Sequence, residues 1–260
     1  MKPVFVSSTT HRKRLIEFLV PEGNIHLLPR RVNQSFFPGK PAHSEFLPGS
    51  KSFSFLTVTS PLRRKGLDLI LRAYLEEFSA KEPVRLVIKL THLPKKKKQF
   101  SYEISDLGNR LGALNNLFPP VVIISDTVED SKMGGLFSSC QVFVNANRSF
   151  HTGLTVLEAL ASGIPVIAPS KMFEIFGFNE EIGYIVQTRK APATPGFLYS
   201  GSPATYVEES DIASLRKRMR EAFAKPEETK RKGFLASQFS SRSQNWDEFA
   251  NKIIELAKNR

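Results

Sequence analysis

Short apolar segments alternate with amphipathic helical segments along the chain after residue 50. Strands are predicted over 53–58, 84–90, 121–125, 142–145, 165–168 and 184–186. Between the first two, apolar residues recur at helical spacing and predict a core-facing helix: Leu67, Ile70, Leu71, Tyr74, Leu75 and Phe78. Further helices are predicted over 211–223 and, after Pro226, over 227–236. This alternation favours an α/β fold, a doubly wound Rossmann-like parallel sheet covered on both faces.

The segment 153–168 contains a glycine turn, a short helix with one carboxylate, and a second glycine before a buried strand. Free amides at a helix start favour a phosphate, and Glu158 on the second turn could accept hydrogen bonds from a ribose diol. In the alternative interpretation, Gly153 and Gly163 are ordinary caps and Glu158 is a solvated helix residue. A single glycine turn before a helix does not decide between them.

The whole segment resembles the signature of family 4 (group 1) retaining glycosyltransferases with the GT-B fold, which include sucrose, glycogen and lipopolysaccharide synthases. Their pattern reads Glu-Gly-Phe-Gly-Leu-x-x-x-Glu-Ala-x-Ala-x-Gly-x-Pro-Val-(Ile/Val). The first glutamate of the pattern lies near the donor sugar in the family, and its position falls on Phe150 here. The matching residues are Gly153, Leu154, Glu158, Ala159, Ala161, Gly163, Pro165, Val166 and Ile167.

A second segment, 53–68, is similar to the strand-loop-Lys-Gly element of the same family. Lys65 matches the lysine that neutralises the donor diphosphate, a task suited to a flexible ammonium group. The arginine that often shares this task in the family would lie near residues 59–60 and is absent. Arg63 and Arg64 could replace it, or they form an ordinary solvated basic loop.

Ligands of α/β sheets bind beyond the carboxyl ends of the strands, where three loops are expected to converge. Arg148 and His151, in the loop before Gly153, could reach a phosphate or the sugar, or could serve only as loop residues. The resemblance implies that residues 125–129 touch the base through backbone atoms. It further implies a catalytic Lys65 and a nucleotide-sugar site formed by Arg64, Lys65, Ser125, Thr127, Gly153, Leu154, Thr155 and Glu158.

The resemblance extends over the whole length of the chain. GT-B enzymes have two Rossmann-like halves, and 260 residues hold only one of them. We expect a remnant of the N-terminal domain with the inter-domain segment at 1–48, the nucleotide-sugar-binding domain at 49–240, and a C-terminal crossover helix at 241–260. Residues 8–20 predict a first amphipathic helix and residues 246–257 a last one. The apolar faces of these two helices would then lack their usual cover, which predicts a partner chain or self-association.

The net charge and the cysteine content limit the kinds of binding partner and the compartment that we expect. A net charge of +12 and a pI near 9.8 suit nucleic acid, an anionic membrane or a phosphorylated donor. Nucleic acid is disfavoured because the basic run 95–98 has no interleaved aromatic residues, whereas peripheral membrane contact stays open. A single cysteine, Cys140, fits a reducing cytoplasm, and we expect no signal peptide and no transmembrane segment. Neither metal-ligand spacing nor a cofactor motif is found, so the donor is the expected small molecule.

Two functions remain open at this point. One is the donor half of a glycosyltransferase that moves a sugar from a nucleotide diphosphate sugar to an unknown acceptor with retention. The other is a catalytically silent module that binds a nucleotide sugar or a partner, because Phe150 and the missing arginine would remove chemistry. A generic Rossmann-like domain for another nucleotide is disfavoured, since the matching segments keep their order and spacing.

Overall fold

A computed structural model describes residues 3–7, 9–28, 31–37, 47, 52–60, 62–91, 119–149, 153–193, 206–243 and 246–258. Its strands are β1 (Val4–Val6), β2 (Ile25–Leu27), β3 (Phe53–Thr59), β4 (Val84–Leu90), β5 (Val121–Ile124), β6 (Val142–Val144), β7 (Val166–Pro169), β8 (Gly183–Val186), β9 (Thr188–Pro192) and β10 (Tyr206–Ser210). Its helices are α1 (Thr9–Glu17), α2 (Leu67–Glu77), α3 (Asp130–Ser138), α4 (Leu154–Ala161), α5 (Ser170–Phe176), α6 (Ile212–Ala224), α7 (Pro226–Ser243) and α8 (Trp246–Lys258).

Six parallel strands form the central sheet in the order β5-β4-β3-β6-β7-β8. The chain begins this sheet at β3, adds β4 and β5 on one side, and then crosses to β6 on the other. Strand order therefore reverses between β3 and β6, which is where open α/β sheets bind ligands. The predicted doubly wound parallel sheet is confirmed.

Helices cover both faces of the sheet, because its strands are apolar on both sides. On one face, α2 and α6 pack around Phe55 and Tyr74, which are fully buried. The other face carries α3, α4, α5 and α7, and there the stacked rings of Phe137 and Phe143 lie 5.6 Å apart. The apolar stripe of α2 is core as predicted, with all its residues buried except Leu75, which is partly buried.

Two small sheets were not predicted from the sequence. β1 and β2 pair in parallel, and β9 and β10 form an antiparallel pair in which Thr188 faces Ser210. The strand β9 has the sequence Thr-Arg-Lys-Ala-Pro, which lacks the apolar alternation of a half-buried strand. Three of its five cross-strand partners are polar instead, namely Ser210, Glu209 and Glu208, and Arg189 forms an ion pair with Glu209. The predicted helix at 227–236 also extends further, to Ser243, and Phe239 in this extension packs on the ring of Phe178.

The helices nearest the two chain ends expose apolar side chains. Phe18 and Leu19, just after α1, are 79% and 90% exposed, and Ile253 and Ile254 of α8 are also exposed. Within α8, Phe249 lies under the guanidinium of Arg31, 5.3 Å from it. The predicted partner for these faces and the two predicted domain boundaries, at 48/49 and 240/241, stay predictions. Among the described helices, none combines the length and apolar character needed to cross a membrane.

Candidate functional site

A cavity of about 600 Å³ opens beyond the carboxyl ends of β3, β4 and β5. Its wall continues along the start of α3 and the first two turns of α4, and residues 31–36 close one side. Five of the predicted site residues line it: Ser125, Thr127, Leu154, Thr155 and Glu158. The other three, Arg64, Lys65 and Gly153, lie outside its wall. The cavity thus joins the loop after β5 to the helix of the signature segment.

Glu158 is the ionisable group of α4 in this cavity, and it is half-buried. Burial raises the pKa of its carboxyl to about 7, and the neighbouring Asp130 carboxylate adds to the shift. A carboxyl group with this pKa changes its charge near neutral pH. Its ionised form accepts hydrogen bonds from hydroxyl groups, as binding to a diol requires.

The start of α4 offers backbone amides at the cavity. Gly153 has φ of 52°, and a Cβ there would lie 2.5 Å from the Phe176 ring, so this position requires glycine. The first amide inside the helical hydrogen-bond ladder is Val156 N–H, which donates to Gly153 O at 2.9 Å. The amides of Leu154 and Thr155 precede that bond, and with respect to the described residues they are available for an anion. Phe150 and His151 lie outside the described residues.

Arg64 and Lys65 belong to a short 3₁₀ turn between β3 and α2. Lys65 is half-buried, and burial together with the adjacent Arg64 charge lowers the pKa of its ammonium. Gly66 closes the turn with φ of 70°, and a Cβ there would lie 2.0 Å from the carbonyl oxygen of Ala146. The turn is therefore pressed against the loop after β6, which leads to Gly153.

Arg148 fastens this turn to the rest of the domain. Its buried guanidinium donates two hydrogen bonds to Asp68, both 2.8 Å, one to Glu209 at 2.7 Å, and one to the Arg63 carbonyl at 2.6 Å. Its backbone N–H donates to the carbonyl of Arg64 at 2.9 Å. Of the two roles that the sequence left open for Arg148, the structure supports that of a loop residue bound to protein, since the side chain is only 2% exposed.

Lys89 was not singled out from the sequence, yet it lines the cavity. It lies one residue before the end of β4 and is 6% exposed. Burial lowers the pKa of its ammonium, and the Asp126 charge opposes the shift. A lysine inside an apolar strand segment usually has an exposed end, so the sequence alone gave no signal for this burial.

The described residues that line the cavity include no grouping typical of a resident metal. Within the described ranges, no cluster of three or more His, Cys, Asp or Glu side chains could hold a metal ion. Cys140, the single cysteine, is buried after α3, and burial raises the pKa of its thiol to about 12. Among the described residues, the charged groups that line the cavity are Arg31, Lys89, Asp130 and Glu158, and Arg64 and Lys65 lie outside its wall.

Comparison with known proteins places this geometry in a family. A family model described as glycosyl transferases group 1 matches residues 52–194, just over half of the chain. The match spans β3 through β9 and so includes the Lys65 turn, the loop after β5 and the start of α4. A search of curated protein sequences finds no significant match.

Solved structures share the fold. A glycosyltransferase from Rickettsia africae is 16% identical with a TM-score of 0.73, covering 99% of this chain and 63% of that one. Sucrose-phosphate synthase from Thermosynechococcus elongatus is 19% identical with a TM-score of 0.74, covering 98% and 57%. HepE from Anabaena, in complex with UDP and glucose, is 13% identical with a TM-score of 0.75, covering 100% and 64%.

At these identities the likeness establishes the fold. The chain spans about three fifths of the length of these structural relatives. The family model, by contrast, matches sequence across the sheet and the cavity loops. The chain belongs to the group 1 glycosyltransferases and has the Rossmann-like fold of GT-B enzymes.

Proposed function

We propose that this chain is the donor half of a retaining glycosyltransferase that transfers a hexosyl-type sugar from a nucleotide diphosphate sugar to an acceptor. The observation that carries the proposal is the cavity at the carboxyl edge of the sheet, which joins Glu158 and the free amides of α4 to the loop after β5. The complex of HepE with UDP and glucose supports a nucleotide-sugar donor.

The proposed roles follow from charge and hydrogen bonding. The diphosphate lies against the amides of Gly153, Leu154 and Thr155, where the helix dipole favours negative charge. Lys65, with Arg64 beside it, neutralises the charge that develops on the leaving diphosphate, and such electrostatic stabilisation is often the largest catalytic contribution. Because these groups supply positive charge, the proposal includes no metal cofactor.

The nucleoside end of the donor occupies the rest of the cavity. Ionised Glu158 accepts hydrogen bonds from the two ribose hydroxyls, which fixes the sugar of the nucleotide beside α4. Ser125 and Thr127 are in the loop after β5, which provides backbone atoms for the base. The donor thus extends from the start of α4 toward β5.

A silent module is the second candidate. Phe150 stands where the family signature has a carboxylate near the donor sugar, so nucleotide binding without transfer is its expected behaviour. The exposed apolar residues near α1 and on α8 favour a partner chain that completes the enzyme, or self-association. A cytoplasmic location with peripheral contact to an anionic membrane completes the proposal and rests on the net charge of +12.

Calorimetric titration of the full chain with UDP, GDP and ADP sugars tests the donor site. We expect Lys65→Met and Glu158→Gln each to weaken binding by about 1 to 3 kcal/mol, the usual cost of losing a charged hydrogen bond. Lys217→Met, which removes an exposed lysine of α6, is the matched control and leaves the affinity unchanged. Absence of binding to every nucleotide sugar, or binding that neither cavity variant weakens, would refute the proposed site.

A further inference from the structure

A buried lysine lies in the wall of the cavity, on the side away from the diphosphate groups. Lys89 is 6% exposed, and it lines the cavity together with Ser125 and Thr127. Lys65 and the start of α4 follow β3 and β6, whereas Lys89 belongs to β4, which lies between β3 and β5. Of the two lysines, Lys89 lines the cavity and is in the strand next to β5, whereas Lys65 lies outside the cavity wall.

The register of the sheet places Lys89 beside the loop after β5, which is the proposed contact of the base. Its Cα is paired with Ile124 of β5 and with Val58 of β3. Ile124 immediately precedes Ser125, where the loop begins. Side chains two residues apart on a strand share a face, and Val87, two residues earlier, packs in the apolar core under α3 and α4. Lys89 thus places a charged group at the carboxyl margin of that apolar face.

An ammonium group in this position needs oxygen acceptors to offset its lost hydration. Its Nζ donates to the Leu90 carbonyl at 2.7 Å. An ammonium has three donors, so in the described part of the chain this bond leaves two of them for a ligand atom. The ligand atom must be an acceptor, because a second donor facing a buried ammonium would leave both without partners.

We propose that Lys89 donates a hydrogen bond to a keto oxygen of the nucleobase and thereby selects uracil or guanine nucleotides over adenine nucleotides. The inference rests on the proposed donor site. Uracil and guanine present a carbonyl oxygen on the base edge where adenine presents an amino group. A site that hydrogen-bonds a ligand group discriminates strongly against an analogue that lacks it, because its own buried donor is then unpaired.

The test compares UDP, GDP and ADP by calorimetry on the full chain. We expect the wild type to bind UDP or GDP at least about 10-fold more tightly than ADP, as one lost hydrogen bond of this kind predicts. Lys89→Met keeps the length of the side chain and removes the donor. It should weaken binding of the preferred nucleotide about 10-fold and leave ADP within about 3-fold, so that the preference nearly disappears.

Lys232→Met is the matched control. Lys232 is equally buried at 6% exposed, but its ammonium donates to the carbonyls of Glu180 and Gly183, outside the cavity. It should not change the nucleotide preference. Melting temperatures of both variants show whether the fold survives, and Lys89→Gln, which keeps a weaker neutral donor, should give an intermediate preference if Lys89→Met unfolds.

Each other outcome overturns the inference. Equal weakening of all three nucleotides by Lys89→Met would assign the lysine to the phosphates or to the fold, and a wild-type preference for ADP would contradict keto selection directly. Binding that depends on Glu158 but not on Lys89 would leave the donor site standing and remove only the base selectivity. A wild type that binds none of the three would remove both.

Discussion

Replacing Arg148 should loosen the turn that carries Lys65 and weaken donor binding without any contact between Arg148 and the ligand. The Arg148 guanidinium bridges Asp68, Glu209 and the Arg63 carbonyl, and all of its bonds span at least sixty residues of sequence. In Arg148→Met the side chain keeps much of its apolar volume and loses every one of these bonds. The substitution therefore removes the hydrogen bonds of Arg148 while it keeps much of the packing of the side chain.

The magnitude follows from the exposure of the partners. Removing one member of a fully buried ion pair costs about 3 to 5 kcal/mol. Asp68 is 49% exposed and can rehydrate, and Glu209 retains Arg189 at 3.2 Å, so the loss here is smaller, about 1 to 3 kcal/mol. For a domain of this size each kcal/mol corresponds to about 2 to 4 °C in melting temperature. The expected decrease is about 2 to 12 °C by these same scales.

Donor binding provides the readout that a purely structural role would not give. Arg148→Met should weaken UDP-sugar or GDP-sugar binding about 10-fold in the wild-type background, which is about 1.4 kcal/mol. In a Lys65→Met background the same substitution should have little further effect, because the turn no longer presents an ammonium to the diphosphate. Arg148→Lys keeps one charge but not the paired bonds to Asp68, and should fall between wild type and Arg148→Met.

The double-mutant cycle of Arg148→Met and Lys65→Met tests whether Arg148 positions Lys65. If Arg148→Met weakens binding equally with and without the Lys65 ammonium, the two residues act independently and the hydrogen bonds of Arg148 do not position Lys65. If it lowers the melting temperature but leaves the affinity unchanged, the network stabilises the fold alone. Calorimetry of the four proteins at one temperature, with melting curves for each, distinguishes these results.

The remaining predictions concern the pH dependence of donor binding and the glycine at position 66. Because the pKa of Glu158 is about 7 and the carboxylate is the form that accepts from ribose, donor binding should tighten as pH rises from 6 to 8, by calorimetry. Glu158→Gln should flatten this dependence, and Asp130→Asn should move it to lower pH; a flat wild-type profile would contradict the ribose role. Gly66→Ala should destabilise the chain far more than Gly177→Ala, because both have positive φ but only Gly66 lies against Ala146 O, and equal losses in denaturant unfolding would disprove the close approach.

The sheet was predictable because its strands are apolar on both faces. β4 occupies 84–90 as predicted, and the other five central strands differ by at most one residue at each end. Short segments that are mostly apolar, separated by polar segments, leave few alternatives. The pair of β9 and β10 could not be found in this way, because cross-strand charge pairs such as Arg189 with Glu209 stabilise it and have no periodic apolar signal.

The site was predictable where it depends on local order along the chain. Glu158 and Thr155 line the cavity because α4 begins at the glycine turn, which the sequence shows directly. Arg148 and Lys89 depend on contacts that local patterns do not encode. Arg148 meets Glu209 across more than sixty residues, and the burial of Lys89 follows from the helices that cover β4. Arginine and lysine side chains are usually exposed, so the sequence does not predict that these two are buried, and only the packing shows it.

The two open functions differ in which side of the cavity must remain intact. Lys89 and Ser125 are on the side of β4 and β5, whereas Lys65 is in the turn that follows β3. Phenylalanine at position 150, where the family signature has a carboxylate, therefore does not affect the proposed base contacts of Lys89 and Ser125. Nucleotide selectivity should survive in a silent module, and only sugar transfer should be lost. Restoring the carboxylate with Phe150→Glu, in the presence of an acceptor and any partner chain, should then raise the transfer rate while leaving the affinity for the free nucleoside diphosphate unchanged.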